Sequence, residues 1–133
     1  MRRAVLADTG PLYAAVDPAD QYHTQAQQEL KRLEQEGLEV FVAYSNLLEC
    51  YTLILHRLGI STAFRWLNEI QEGASLINPT LDDYHAAMSR IQRYRDQAFT
   101  LFDVVLAILS ERLALPVWTY DHHFDVMRVP VWR

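Results

Sequence analysis

Short runs of aliphatic and β-branched residues alternate along this chain with longer stretches whose apolar positions recur at helical spacing. Residues 4–7, Ala-Val-Leu-Ala, predict a first strand, cut off by Asp8-Thr9-Gly10-Pro11. There Asp8 or Thr9 suits a helix cap and Pro11 a first helical turn. One or two turns over 12–16 and a break at 17–20 follow. A polar-faced helix then runs from Tyr22 to about Gln35, with Ala26, Leu30 and Leu33 on one side and Gly37 as its stop. Residues 40–43, Val-Phe-Val-Ala, predict the second strand. Ser45 or Asn46 then caps a long apolar helix in which Leu47, Leu48, Tyr51, Leu55 and Leu58 keep the 3.6 period until Gly59.

The next helix starts at Ile60, with Phe64, Leu67 and Ile70 turned inward, and residues 74–77 predict a weak strand. Pro79-Thr80-Leu81-Asp82-Asp83 opens a further helix with Tyr84, Met88 and Ile91 on one face. Thr100-Leu101-Phe102-Asp103 opens another, carrying the apolar run VVLAIL. Pro116 stops it, and residues 116–120, Pro-Val-Trp-Thr-Tyr, predict a strand. Residues 129–131 predict a last strand at an edge, because Pro130 cannot donate to a ladder. Strands and helices alternate, so the expected class is α/β: a mainly parallel sheet with helices on both faces. At 133 residues one domain spanning 1–133 is expected.

Composition narrows the function classes. Half the residues are hydrophobic and 22% charged, which argues against disorder. VVLAIL is too short for a membrane span, and the apolar stretch after Arg2 and Arg3 meets Asp8 too soon for a signal peptide. A soluble, cytoplasmic protein is expected. The lone cysteine, Cys50, excludes an intrachain disulfide and a cysteine-based zinc site. The net charge of −5 argues against a non-specific nucleic-acid binder, but fits an enzyme whose acids gather at a metal or a protein capped by a basic partner.

Four acids carry the candidate chemistry: Asp8 after the first strand, Glu49 in the helix after the second, Asp103, and Asp121 after the 116–120 strand. Singly, Asp8 and Asp121 read as helix caps and Asp103 as the third residue of a capping box begun by Thr100. Glu49, between Leu48 and Cys50, fits an apolar helix poorly, since an unpaired buried carboxylate is costly. Jointly, all four fall at or just past the carboxyl edge of a parallel sheet, where ligands bind. Four like charges there repel unless a divalent cation neutralises them. Oxygen-only ligands point to Mg²⁺ or Mn²⁺, ions that handle phosphates and activate water for in-line displacement.

In order and spacing, Asp8 in VLADTGPLYAA, Glu49 in YSNLLECYTLI, Asp103 in TLFDVVLAILSERL and Asp121 in VWTYDHHFDV resemble the acidic quartet of PIN-domain nucleases, above all the VapC-type toxins of toxin–antitoxin pairs. The resemblance covers nearly the whole chain and includes Thr119, two positions before the last acid; Phe102 departs from it, standing where many relatives carry a small polar residue. It implies a three-layer α/β/α sandwich, Mg²⁺- or Mn²⁺-dependent endoribonuclease activity leaving a 5′-phosphate and a 3′-hydroxyl, and a homodimer inhibited by a cognate antitoxin. It implies that Asp8, Glu49 and Asp103 hold the metal directly or through water. Asp121 completes the cage or orients the attacking water, and Thr9 or Ser45 binds a metal-bound water or phosphate oxygen.

Weaker signals surround these. His122 and His123 are adjacent, so on a helix only one faces the site. Asp96 and Asp125 are peripheral acids. Arg90, Arg93 and Arg95, like Arg57, sit near helix ends, where they complement the dipole or meet an RNA backbone. Tyr51, Leu55, Phe64, Trp66 and Leu67 are core residues whose two helices also offer an apolar groove for a partner segment. Competing readings are a PIN-fold binding module without catalysis, a housekeeping RNA-processing nuclease, and a phosphoryl domain of haloacid or receiver type. The last needs a lysine near the later acids, and the single lysine, Lys31, lies on the early polar helix.

Overall fold

The computed structural model describes residues 3–133; Arg2, of the arginine pair before the first apolar run, lies outside them. Strands β1 (Ala4–Ala7), β2 (Glu39–Ala43), β3 (Ser75–Ile77) and β4 (Val117–Trp118) form one sheet in the order β3-β2-β1-β4. Every pairing is parallel, with Leu6 opposite both Phe41 and Val117. Between and around the strands lie α1 (Thr9–Ala14), α2 (His23–Gln35), α3 (Tyr44–Leu58), α4 (Ile60–Gly73), α5 (Leu81–Arg90), α6 (Leu101–Leu113) and the short α7 (His123–Val126).

The two-residue period of the strands divides the interior into two cores. Val5, Ala7, Val42 and Trp118 face α1, α2, α3 and α4, burying Leu12, Leu33, Cys50, Ile54 and Trp66. Leu6, Phe41, Ala43 and Val117 face the other way, onto Val104–Leu109 of α6, Ala87 of α5 and Phe124 of α7. Helices cover both faces, giving three α/β/α layers. Helix α6 holds the longest buried run of any helix: every residue from Asp103 to Ser110 is buried, as its all-round apolar sequence requires. Its only interior hydroxyl, Ser110, is satisfied by donating to the Leu115 carbonyl at 2.6 Å.

Several expectations shift. The 116–120 strand contracts to Val117–Trp118, and Val131 adds an isolated parallel bridge to Val117 in place of a full last strand. Helix α3 starts at Tyr44 with Ala43 at its N-cap, so neither Ser45 nor Asn46 caps it; both are buried. Its buried arc runs through Asn46, Leu47, Cys50 and Ile54, which leaves Leu48 65% exposed. Phe64 and Met88 also face outward, because α4 packs through Ala63 and Trp66 and α5 through Asp83 and Ala87. No helix among the described residues is long and apolar enough to cross a membrane.

Asp83 is a buried acid with a structural task. It completes a capping box with Thr80 and receives Arg112 of α6 in two bonds of 3.0 and 2.8 Å. The guanidinium holds its carboxyl below the usual range. Asp83→Ala removes the carboxylate half of the capping box and the inter-helix pair while Arg112, itself 42% exposed, regains water. The expected loss is about 2 kcal/mol, read as a lowered denaturant midpoint.

Candidate active site

Parallel pairing puts the carboxyl ends of the strands on one edge, and α1, α3, α6 and α7 begin near it. A cleft of about 530 Å³ opens there. Its walls include Asp8, Thr9, Glu49, Arg57, Thr100, Asp103, Asp121, His122 and His123, so all four acids singled out from the sequence meet around one space.

Asp8 sits deepest. It caps α1 through Thr9 N–H at 2.9 Å, and its other oxygen accepts from Thr119 Oγ at 2.8 Å. Burial, with Asp103 and Asp121 adding repulsion that the Thr119 and Thr9 bonds only partly offset, pushes its carboxyl up to about 7. Thr119 accepts in turn from Asp121 N–H at 2.9 Å, tying the segment after β4 to the end of β1.

Glu49 reaches in from α3. Thr9 Oγ donates to it at 2.5 Å and accepts from Asn46 Nδ2 at 3.0 Å; the same Asn46 amide lies 3.4 Å from Asp8 Oδ1. Asn46 is thus a hub between the start of α1 and α3, fully buried in the first turn of α3. From the sequence Ser45 or Asn46 suits a cap; the signal that separates the two roles for Asn46 is its position on the same arc as Cys50 and Ile54. Ser45 is buried away from the cleft and lines an apolar groove with Phe102.

Asp103 takes the capping-box place read from its spacing to Thr100 and still lines the cleft. It closes the capping box with Thr100 and presents Oδ2 to His123 Nδ1 at 3.3 Å. His123 also lies 3.2 Å from Asp121 Oδ2, bridging the two acids. The expectation that only one of the adjacent histidines faces the site is corrected, since both line the cleft. His122 is the N-cap of α7 with helical backbone angles, and its ring tilts back over that of His123, the centroids 4.8 Å apart. Asp121 itself accepts from His123 N–H at 2.9 Å, one place before the cap position expected for it.

The peripheral candidates separate. Asp125 pairs with Arg133 at 3.0 Å, and Asp96 is exposed outside the cleft. Arg90 is held by Glu111 in two bonds of 2.6 and 2.8 Å. Arg57 lies on the cleft wall, its guanidinium 5.1 Å from the Tyr13 ring. Glu29 of α2, not singled out from the sequence, accepts from Trp118 Nε1 and Tyr120 OH and fixes the chain just before Asp121.

The donors in this cleft, carboxylates and hydroxyls around a buried acid destabilised as an anion, suit a hard divalent cation. The acids stand as walls of one space and not as a closed cage: among the described residues no three of them have ligand atoms within 4.8 Å of one another, whereas Asp121, His122 and His123 do.

No protein-family model and no curated protein matches the sequence. Solved structures do resemble this one. VapC20 of Mycobacterium tuberculosis, described as a sarcin-ricin loop cleaving toxin, superposes with a TM-score of 0.85 at 19% identity, covering 98% of this chain and 99% of that one. VapBC2 of Rickettsia felis, bound to a fragment of its promoter DNA, gives 0.75 at 10% identity over 98% and 97%. FitAcB of Neisseria gonorrhoeae gives 0.68 at 16% identity over 97% and 96%. The architecture of this chain is therefore the PIN-like α/β/α fold of the VapC-type toxins.

Proposed function

We propose that the protein is a divalent-metal-dependent endoribonuclease, the toxin of a toxin–antitoxin pair. The observation that carries this reading is the meeting of Asp8, Glu49, Asp103 and Asp121 around one cleft at the carboxyl edge of a parallel sheet. Asp8, Glu49 and Asp103 hold Mg²⁺ or Mn²⁺ directly or through water, and Asp121 completes the set or orients the attacking water. The bound ion supplies charge neutralisation at the scissile phosphate and a more acidic water. The chain's own groups do the rest: Thr119 and Thr9 fix the Asp8 carboxylate, Asn46 and Thr9 aim Glu49, and Arg57 offers a cation to the RNA backbone beside the acids. A neighbour that cleaves the sarcin-ricin loop supports RNA as the substrate class. Purified protein is expected to cleave RNA in Mg²⁺ or Mn²⁺ and to stop on chelation, with 5′-phosphate ends; cleavage that survives chelation overturns the metal's role.

Two apolar surfaces support the partners. Leu81, Met88, Leu101 and Phe102 stand exposed on α5 and α6 around a groove of about 560 Å³, a face suited to a second copy of the chain. Phe102→Glu is expected to convert a dimer to a monomer in sedimentation; an unchanged dimer removes this face from the interface. On the opposite side, Leu12, Val16, Leu30, Trp66 and Ile70 line a groove of about 310 Å³ that suits an amphipathic antitoxin segment.

A further inference from the structure

The four-acid reading leaves the two histidines of the cleft unused. We propose that Asp121, His122 and His123, joined by Asp103, form a mixed nitrogen–oxygen site for a divalent transition ion such as Zn²⁺ or Co²⁺. The first three present ligand atoms within 4.8 Å of one another. His123 Nδ1 lies 3.2 Å from Asp121 Oδ2 and 3.3 Å from Asp103 Oδ2, and His122 Nδ1 lies 3.8 Å from Asp121 Oδ1. Ligands bonded to zinc at about 2.0–2.1 Å stand roughly 3.3 Å apart along the edges of a tetrahedron. The two shorter separations match that edge, His122 must move in from 3.8 Å, and Asp103, which lies outside the group of three, joins by swinging toward His123.

The local structure holds two of the three in place. Asp121 is fixed by His123 N–H, and the His123 ring packs edge-on against Phe99 with centroids 4.6 Å apart. His122, 78% exposed at the mouth, supplies the mobile ligand and the entry path. Two imidazoles select borderline-soft ions over Mg²⁺, which prefers oxygen. The site deepens the proposed nuclease by sharing Asp103 and Asp121 with it: an ion held here draws Asp103 away from Asp8 and Glu49, so Zn²⁺ opposes the Mg²⁺-supported reaction. Its ligands bind whether or not the cleft is catalytic.

The test uses the full chain, stripped of metal, in an Asp8→Asn background that weakens the all-oxygen site and leaves the imidazoles intact. Zn²⁺ is titrated by calorimetry and followed by ¹⁵N resonances of the histidine rings. Zn²⁺ is expected to bind and to shift His122 and His123 among the five histidines. His122→Ala is expected to weaken binding by about tenfold or more; its ring is 78% exposed, and far-UV circular dichroism checks that the variant is folded. Unshifted His122 and His123 rings, equal shifts with Mg²⁺, or undiminished Zn²⁺ affinity in His122→Ala each overturn the proposal. A wild-type chain that binds Zn²⁺ in this way but cleaves no RNA overturns the nuclease reading and leaves this site standing.

Discussion

Asp8→Asn is expected to abolish RNA cleavage, by more than about 100-fold, while making the metal-free protein more stable at pH 8. The two effects have one cause. Asp8 is buried beside Asp103 and Asp121, and its carboxyl is raised to about 7 from 3.8. A raised folded-state value means that the folded chain binds this proton more tightly than the unfolded chain does. Stability from this group is complete below pH 3.8 and is lost as pH climbs through 7. At 1.36 kcal/mol per unit the ionised carboxylate costs up to about 4 kcal/mol, and the neutral amide escapes that cost while keeping the bond from Thr9 N–H. Asp103→Asn is expected to lose activity as well. An inactive Asp8→Asn that is also less stable at pH 8 would mean that folding, and not chemistry, fails. A variant that still cleaves RNA removes Asp8 from the metal site.

The second large effect is a pH-dependent stabilisation by metal. Mn²⁺ at about 100 times its dissociation constant adds ~2.7 kcal/mol, or roughly 10 °C in melting temperature for a chain of this size. The gain is expected to be larger at pH 8 than at pH 5.5, because at the lower pH the ion must displace the proton on Asp8. In Asp8→Asn both the gain and its pH dependence shrink. Differential scanning calorimetry at the two pH values measures this directly. A melting temperature indifferent to Mn²⁺, or a shift of equal size at both pH values, contradicts an ion bound at this carboxylate.

Much of the site is written in the chain as order and spacing. Each acid follows a strand or opens a helix, and backbone periodicity alone carries it to the carboxyl edge of a parallel sheet. The caps illustrate the limit of such local reading. Asp8 does serve as a cap and Asp103 as the third residue of a capping box with Thr100, because the bonds involved span one and three residues. The same local logic offers Ser45 or Asn46 as the cap of α3, but Asn46 instead ties α3 to the start of α1, through partners 37 and 38 positions away. Composition in a short window carries no record of such distant partners. Leu48, Phe64 and Met88 failed for a related reason. Helical period defines an apolar stripe, but which part of the stripe is covered depends on the angle at which neighbouring helices pack.

The sequence by itself determined the alternation of strands and helices, the strand faces, and the four acids with their common edge, since these follow from side-chain periodicity and backbone sterics within each segment. Only the tertiary structure decided that Thr119 and Asn46 steady Asp8, that Glu49 turns inward through Thr9, and that both histidines enter the cleft beside Asp121. Those outcomes depend on electrostatics and packing between segments up to 111 residues apart, where the energy of one hydrogen bond is set by what surrounds it and not by its neighbours in the chain.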